Sequence, residues 1–165
     1  MLRRPEPADA EAIFASYAQD PEVCRYMIWA PHESSAVTQA FIASCIEAWE
    51  RGERAPYIVT LQSSNQPLGM LEARMRGHAI DIGYVLAREH WGHGLVPEAI
   101  RAMADAVLAR AEFFRMQATC DTENAASARA LEKSGFVREG RLTRYTVHPN
   151  LSSDPRDCFM YARCR

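Results

Sequence analysis

The sequence predicts a mixed α/β (α+β) domain, and three observations carry that expectation. Apolar residues recur at helical spacing before Gly52 and at strand-like spacing after it. A strand, a glycine-containing loop, a helix and another strand follow one another in mid-chain, an order that favours local parallel pairing. The 165 residues are 48% hydrophobic and 24% charged, the balance of one ordinary folded unit with one core.

The Pro-rich start gives way to a helix near Pro7 to Gln19, with Ile13, Phe14 and Tyr17 on one side. A longer helix is expected from Ser35 to Arg51. Val37, Phe41, Cys45 and Trp49 recur every four residues, Ser34 or Ser35 can cap its start, and Gly52 can end it. Tyr57 to Leu61 is rich in strand formers and stops at the turn-forming run Ser63 to Pro67. Leu68 to Arg76 reads as the returning strand of a hairpin, in which Met70 and Ala73 alternate imperfectly with polar residues. Gly77 turns the chain into a third strand, Ile80 to Leu86. Pro97 to Arg110 is expected to be helical, with Ile100, Met103, Ala104, Val107 and Leu108 on its apolar face. Pro97 is tolerated there because it falls in the first turn. Arg115 to Asp121 reads as a strand and Ala125 to Ser134 as a short helix, which Gly135 ends and against which Phe136 packs back. Arg141 to Val147 and Cys158 to Arg163 are the last two strands, joined by the polar loop His148 to Asp157.

Composition excludes several function classes. A formal net charge of -2 gives no electrostatic reason to expect nucleic acid or an anionic membrane as partner. No apolar run reaches the ~18 residues of a membrane span, and Met1 to Pro7 lacks the apolar core of a signal peptide. The expectation is a cytoplasmic protein of one domain, residues 1–165. The five cysteines are odd in number and include no C-x-x-C pair, which argues against a zinc site or a disulfide framework and for reduced, buried thiols.

Two segments carry chemistry. The first, His90 to Ala99, links a strand to a helix. Gly92 and Gly94 let the backbone turn sharply, and the free N–H groups opening the helix then converge where its dipole favours an anion. That is a pyrophosphate site built from backbone atoms, although a Gly-x-Gly before a helix also serves as a plain tight turn. Pro97 stands where a dinucleotide fingerprint has its third glycine, and no Gly-Lys-Ser/Thr follows, so neither nucleotide loop fits. The second segment runs from Asp121 to Phe136. Asn124 precedes Ser127 by three residues, and Leu131-Glu132-Lys133-Ser134-Gly135-Phe136 closes the run. Read alone, Asn124 suits a helix cap and Ser127 a solvent-facing position.

Together these segments resemble the GNAT acetyltransferases. Trp91-Gly92-His93-Gly94-Leu95-Val96 is similar to that family's Q/R-x-x-G-x-G/A pyrophosphate loop, with Trp91 replacing Gln or Arg and Val96 replacing Gly or Ala. The second segment is similar to its N-x-x-S…L-E-K-x-G-F pattern. The Trp-Gly-x-Gly form followed by Glu98-Ala99 looks like the RimJ/RimL-type branch. Val23 to Trp29, Ile82-Gly83-Tyr84 and Asp157 resemble further stretches of that branch. The resemblance implies a mostly antiparallel twisted sheet with a splayed parallel pair, flanked by about four helices. It implies acetyl-CoA as acyl donor, no metal, and direct attack of a neutral amine on the thioester in a ternary complex.

The resemblance also implies roles. Residues Trp91 to Val96 would hold the pyrophosphate, Val85 or Leu86 would supply the backbone oxyanion donor and pair with the pantetheine, and Asn124 would bond it. Many GNAT enzymes protonate the leaving thiolate with a Tyr that falls here at Leu131, so Ser127 becomes the acid candidate. Asp81 is the candidate base, acting through water, with His78 and His93 as titratable alternatives. Trp29, His32 and Tyr84 are expected on the acceptor side, where Glu33, Tyr26 and Trp49 are weaker candidates. The acceptor remains a peptide N-terminus or a small amine, and a homodimer fits the branch. Leu131 and the Val96-Pro97 departure also leave room for an acyl-CoA-binding sensor without turnover.

Overall fold

The computed structural model describes residues 1–165 and arranges them around one seven-stranded sheet. In chain order, β1 (Leu2–Arg3) leads into α1 (Asp9–Ile13), which continues as a single π turn, Phe14–Ala18. Then come α2 (Pro21–Cys24), α3 (Ser35–Arg51), and the meander β2 (Arg54–Val59), β3 (Gly69–Arg76) and β4 (Ala79–Leu86). After a turn at Arg88–His90 follow α4 (Leu95–Leu108), β5 (Arg115–Asp121), α5 (Ala125–Lys133), β6 (Val137–Thr146) and β7 (Arg156–Cys164).

The sheet order is β1-β2-β3-β4-β5-β7-β6, and only β4 and β5 run parallel. The two faces follow from strand alternation. Ile58 and Met70 face α1 and α3, where they meet Ile13, Ile42 and Cys45. Val59, Leu71, Ala73, Ile80 and Ile82 face the other way, onto Ile100, Met103 and Ala104 of α4 and Leu131 of α5. Burial on both faces explains the imperfect alternation of β3. Gly69 lies where β3 and β4 approach most closely: a Cβ there would stand 2.3 Å from the Val85 carbonyl oxygen.

Local signals act as the sequence suggests at several ends. Gly52 closes α3 in the left-handed region at φ +66. Gly135 does the same at φ +85, where its N–H donates to the Glu132 carbonyl and that of Phe136 to the Leu131 carbonyl. Ser34 occupies the cap position of α3 without a side-chain bond. No helix is long and apolar enough to cross a membrane.

Several expectations are corrected. The buried stripe of α3 is Thr38, Ile42, Cys45 and Ala48, whereas Val37 is exposed. A repeat of four drifts around a helix of 3.6 residues per turn, so the Val37 end of that row rotates to solvent. Helix α4 begins at Leu95, not Pro97, because Gly94 at φ +78 already sets its start. Strand β2 starts at Arg54, ahead of Tyr57. Strand β6 starts at Val137, ahead of Arg141; it is an exposed edge with little apolar pattern to read. The short β1 and α2 gave no periodic signal.

Candidate active site

Strands β4 and β5 pair at only three positions: Ala79 with Arg115, Ile80 with Met116, and Asp81 with Gln117. Beyond Asp81 they diverge. Ile82 to Leu86 stay with β3, and Ala118 to Asp121 stay with β7. A cavity of about 530 Å³ opens between them, lined by Ile82 to Val85 from β4, Thr119 to Asp121 from β5, and Asn124 and Ser127 of α5. Tyr26 to Trp29 and His32 wall its outer side. Asn150 ties that wall down, because its Nδ2 donates to the carbonyls of Cys24 at 2.6 Å and Trp29 at 2.9 Å.

The expected residues Tyr84, Asn124 and Ser127 meet in this wedge. The Tyr84 hydroxyl crosses from β4 to α5 and lies 2.7 Å from Ser127 Oγ and 3.2 Å from the Ser127 carbonyl. Burial pushes the Tyr84 phenol far above its ordinary value, against a smaller opposing effect of the Ser127 hydrogen bond. Asn124 caps α5, its Oδ1 accepting the Ser127 N–H at 3.0 Å, which leaves its Nδ2 free as a donor. Leu131 is fully buried in the core beneath α5. Cys120, on the wedge floor, is a thiol that burial raises to about 11.

The glycine loop follows directly from the open end of β4. Gly92 at φ +82 and Gly94 at φ +78 turn the chain into α4. The backbone N–H groups of Gly92, His93, Gly94, Leu95 and Val96 donate to no protein acceptor; the Trp91 N–H goes to Arg88 and that of Glu98 to Gly94. A consecutive run of free donors at a helix N-terminus fits an anion held by backbone atoms. Trp91 is 46% exposed and its indole N–H donates to the Leu86 carbonyl at 2.8 Å, pinning the loop to β4. The His93 side chain is exposed.

The structure places Val85 in the cavity lining but not Leu86, whose side chain is buried. Asp81 lies below the divergence, outside the cavity, with Arg76 Nε at 3.1 Å and Gln117 Nε2 at 2.7 Å on its oxygens. His78 is exposed at the opposite end of β4, and Glu33 is exposed. Trp49 is turned away, its indole donating to the Pro56 carbonyl at 2.5 Å. Trp29 and His32 do stand at the cavity, their rings 5.3 Å apart, and His32 Nδ1 shares a hydrogen bond with Thr38 Oγ1 at 2.8 Å. Burial lowers the His32 pKa, which favours the neutral ring.

Sequence reasoning missed the charged floor of the cavity. Glu72 of β3 lines it, held by Arg54 Nη1 at 2.6 Å and Arg74 Nη1 at 2.8 Å. Asp121 lines it from β5, its side chain inaccessible to solvent and paired with Arg156 at 2.6 Å. Burial pushes the Asp121 carboxyl up, but the Arg156 guanidinium and the Glu123 N–H outweigh that and hold it below the ordinary value. The available signal was charge at every second position, Glu72, Arg74 and Arg76, on one face of β3.

A family model described as "Acetyltransferase (GNAT) domain" matches residues 1–137. The N-acetyltransferase YoaA of Bacillus subtilis (strain 168), itself uncharacterised, is 30% identical over 98% of this chain and 91% of its own. The crystal structure of a GNAT-family acetyltransferase from Bacillus anthracis superposes with a TM-score of 0.85 at 26% identity, covering 99% of this chain and 93% of that one. RimL, a ribosomal L7/L12 alpha-N-protein acetyltransferase solved in complex with coenzyme A, superposes at 0.87 with 23% identity, over 99% and 92% of the two chains.

Proposed function

The chain belongs to the GNAT acetyltransferase family, and from that premise we propose that it moves the acetyl group of acetyl-CoA to a primary amine inside the wedge. The observation that carries this reading is continuity. An unpaired strand edge, Ile82 to Leu86, leads within one stretch of chain to five free N–H groups, Gly92 to Val96. The strand edge suits the amide-bearing pantetheine and the loop suits the pyrophosphate. RimL, which shares this fold, was solved in complex with coenzyme A, in keeping with that donor.

In the reaction a C–N bond forms as the thioester C–S bond breaks, one proton leaves nitrogen and one reaches sulfur. A backbone N–H of β4 at Val85 or Leu86 stabilises the charge that develops on the carbonyl oxygen. The free Nδ2 of Asn124 holds the pantetheine. Tyr84 stays protonated at neutral pH, and its hydroxyl holds Ser127 Oγ at 2.7 Å; when Tyr84 donates in that bond, the Ser127 hydroxyl proton is free for the departing sulfur. This pair supplies what Leu131 lacks. Glu72 takes the role foreseen for Asp81, because it is the carboxylate that faces an incoming amine, directly or through water.

The test is thiol release from acetyl-CoA against N-terminal peptides, polyamines, amino acids and aminoglycosides. Release with one amine class is expected, with kcat reduced about 10²-fold by Ser127→Ala and less by Tyr84→Phe. The buried Leu131 favours one second reading, an acyl-CoA sensor without turnover. Acetyl-CoA binding with no release for any amine, and no effect of Ser127→Ala, would establish that reading instead.

A further inference from the structure

The acceptor end of the wedge holds one guanidinium, that of Arg74, with unengaged donors. Its lining includes four charged side chains of the Asp, Glu, Lys and Arg types: Arg54, Arg74, Glu72 and Asp121. Asp121 is paired from behind by Arg156, which does not itself line the cavity and also bonds Glu123. The lining thus carries two guanidiniums and two carboxylates, and they differ in how fully they are engaged. Glu72 is 13% exposed and each of its oxygens is already engaged by one arginine. Arg54 is engaged on both Nη atoms, by Glu72 and by Ser44 Oγ at 3.1 Å. Arg74 differs: it is 37% exposed, only its Nη1 is engaged, and its Nε and Nη2 donors have no partner.

Position 83 sets where those donors point. Gly83 has no side chain, and the Arg74 guanidinium fills the space above it; a Cβ there would lie 3.3 Å from Nη2. Gly83 is the second residue of the unpaired part of β4. An anion on Arg74 is therefore held directly over the strand edge where the proposed thioester lies, within a few bonds of the attacking nitrogen. The remaining wall at this end is largely apolar, with Met27, Trp29, Phe41 and Met70, and carries His32 between Trp29 and Phe41.

The geometry points to an acceptor that is itself an anion-bearing amine, a hydrophobic amino acid whose carboxylate docks on Arg74 while Glu72 receives the amine. This inference rests on the acetyl-transfer reading and narrows it.

Matched pairs that differ in one charge test it. Thiol release is measured for L-leucine against L-leucinamide and L-phenylalanine against L-phenylalaninamide, each rate expressed per neutral amine. A second arm compares the peptide amides Ser-Asp and Ser-Asn, which places the anion on a peptide side chain instead. The wild type is expected to prefer the free carboxylate by at least about tenfold in kcat/KM. Arg74→Gln should bring that ratio to within about twofold of unity, and Arg74→Lys should restore part of it. The ratio is internal to each variant, so a general loss of activity does not imitate the effect. Preference confined to Ser-Asp would move the anion to a peptide acceptor and overturn the amino acid assignment. Parity in both arms of the wild type would overturn the anion site altogether, whether or not the variants fold. If no amine releases thiol, acetyl transfer fails. The anion site is then decided by calorimetric binding of N-acetyl-L-leucine against its amide to the coenzyme A-loaded protein, where the same tenfold preference or parity is read.

Discussion

Replacing Gly69 by alanine perturbs the wedge from outside it. The added Cβ would stand 2.3 Å from the Val85 carbonyl oxygen, 3.0 Å from Leu86 Cα and 3.1 Å from Leu86 Cδ1. The closest of these is backbone, which has no rotamer to yield, so β3 and β4 must separate by about 0.7 Å merely to restore a 3.0 Å contact. Overpacking of that kind costs about 1–3 kcal/mol. For a chain of this size, each kcal/mol lowers Tm by about 2–4 °C, so a fall of roughly 2–12 °C is expected in a circular-dichroism melt. The displaced segment, Val85 and Leu86, is the strand edge assigned to the donor. Calorimetric titration with coenzyme A should therefore show affinity weakened by about tenfold, because misplacement near 1 Å at a preorganised site carries a cost of that order or more. An alanine variant with unchanged Tm and unchanged affinity would refute the reasoning that this close approach positions the wedge.

Three further outcomes follow from the same structure. Gly94→Ala meets no atom within 4 Å but must hold φ +78, so strain of about 1–2 kcal/mol is expected, along with weaker coenzyme A binding measured by calorimetry. Leu131→Ala removes a fully buried side chain and should cost about 2–5 kcal/mol in urea unfolding. Asp121 has a folded pKa below its unfolded value of about 3.9. Its contribution is thus fully present above that value and lost as pH falls through the lower, folded one. Asp121→Asn should flatten the acid limb of unfolding free energy against pH in that window and leave Arg156 with only the exposed Glu123 as an acidic partner, lowering stability at neutral pH as well.

The sequence made the scaffold legible where single residues decide local geometry. Gly52, Gly135 and the Gly92–Gly94 pair each mark a left-handed turn, and each sits where the structure turns. Asn124 and Ser127 were readable as candidates because one motif holds both, and Tyr84 because its stretch resembles the family's central strand; the fold brings all three to one cavity. The acceptor end was less legible, since it is assembled across distant elements. Glu72, Arg54 and Arg74 converge through the pairing of β2 with β3; alternation puts Glu72 and Arg74 on one face of β3, but nothing local shows that this face lines the cavity or that Arg54 joins it. Asp81 lies on β4 below the point of divergence and outside the cavity lining, a height that depends on where β5 stops pairing. Strand ends erred at exposed edges such as β6, where water satisfies either choice.

The three residue pairs that join β4 to β5 make the sheet two plates with a short weld. One plate holds β1 to β4 and the other β5 to β7, and each keeps a full antiparallel ladder of its own. Rotation about the weld would change the width of the gap at the far end without breaking any ladder. Across the open part, the Tyr84–Ser127 hydrogen bond acts as a latch on that width. Loosening the latch detunes everything that sits in the gap at once, whereas a change on either plate's outer surface leaves the gauge between them untouched.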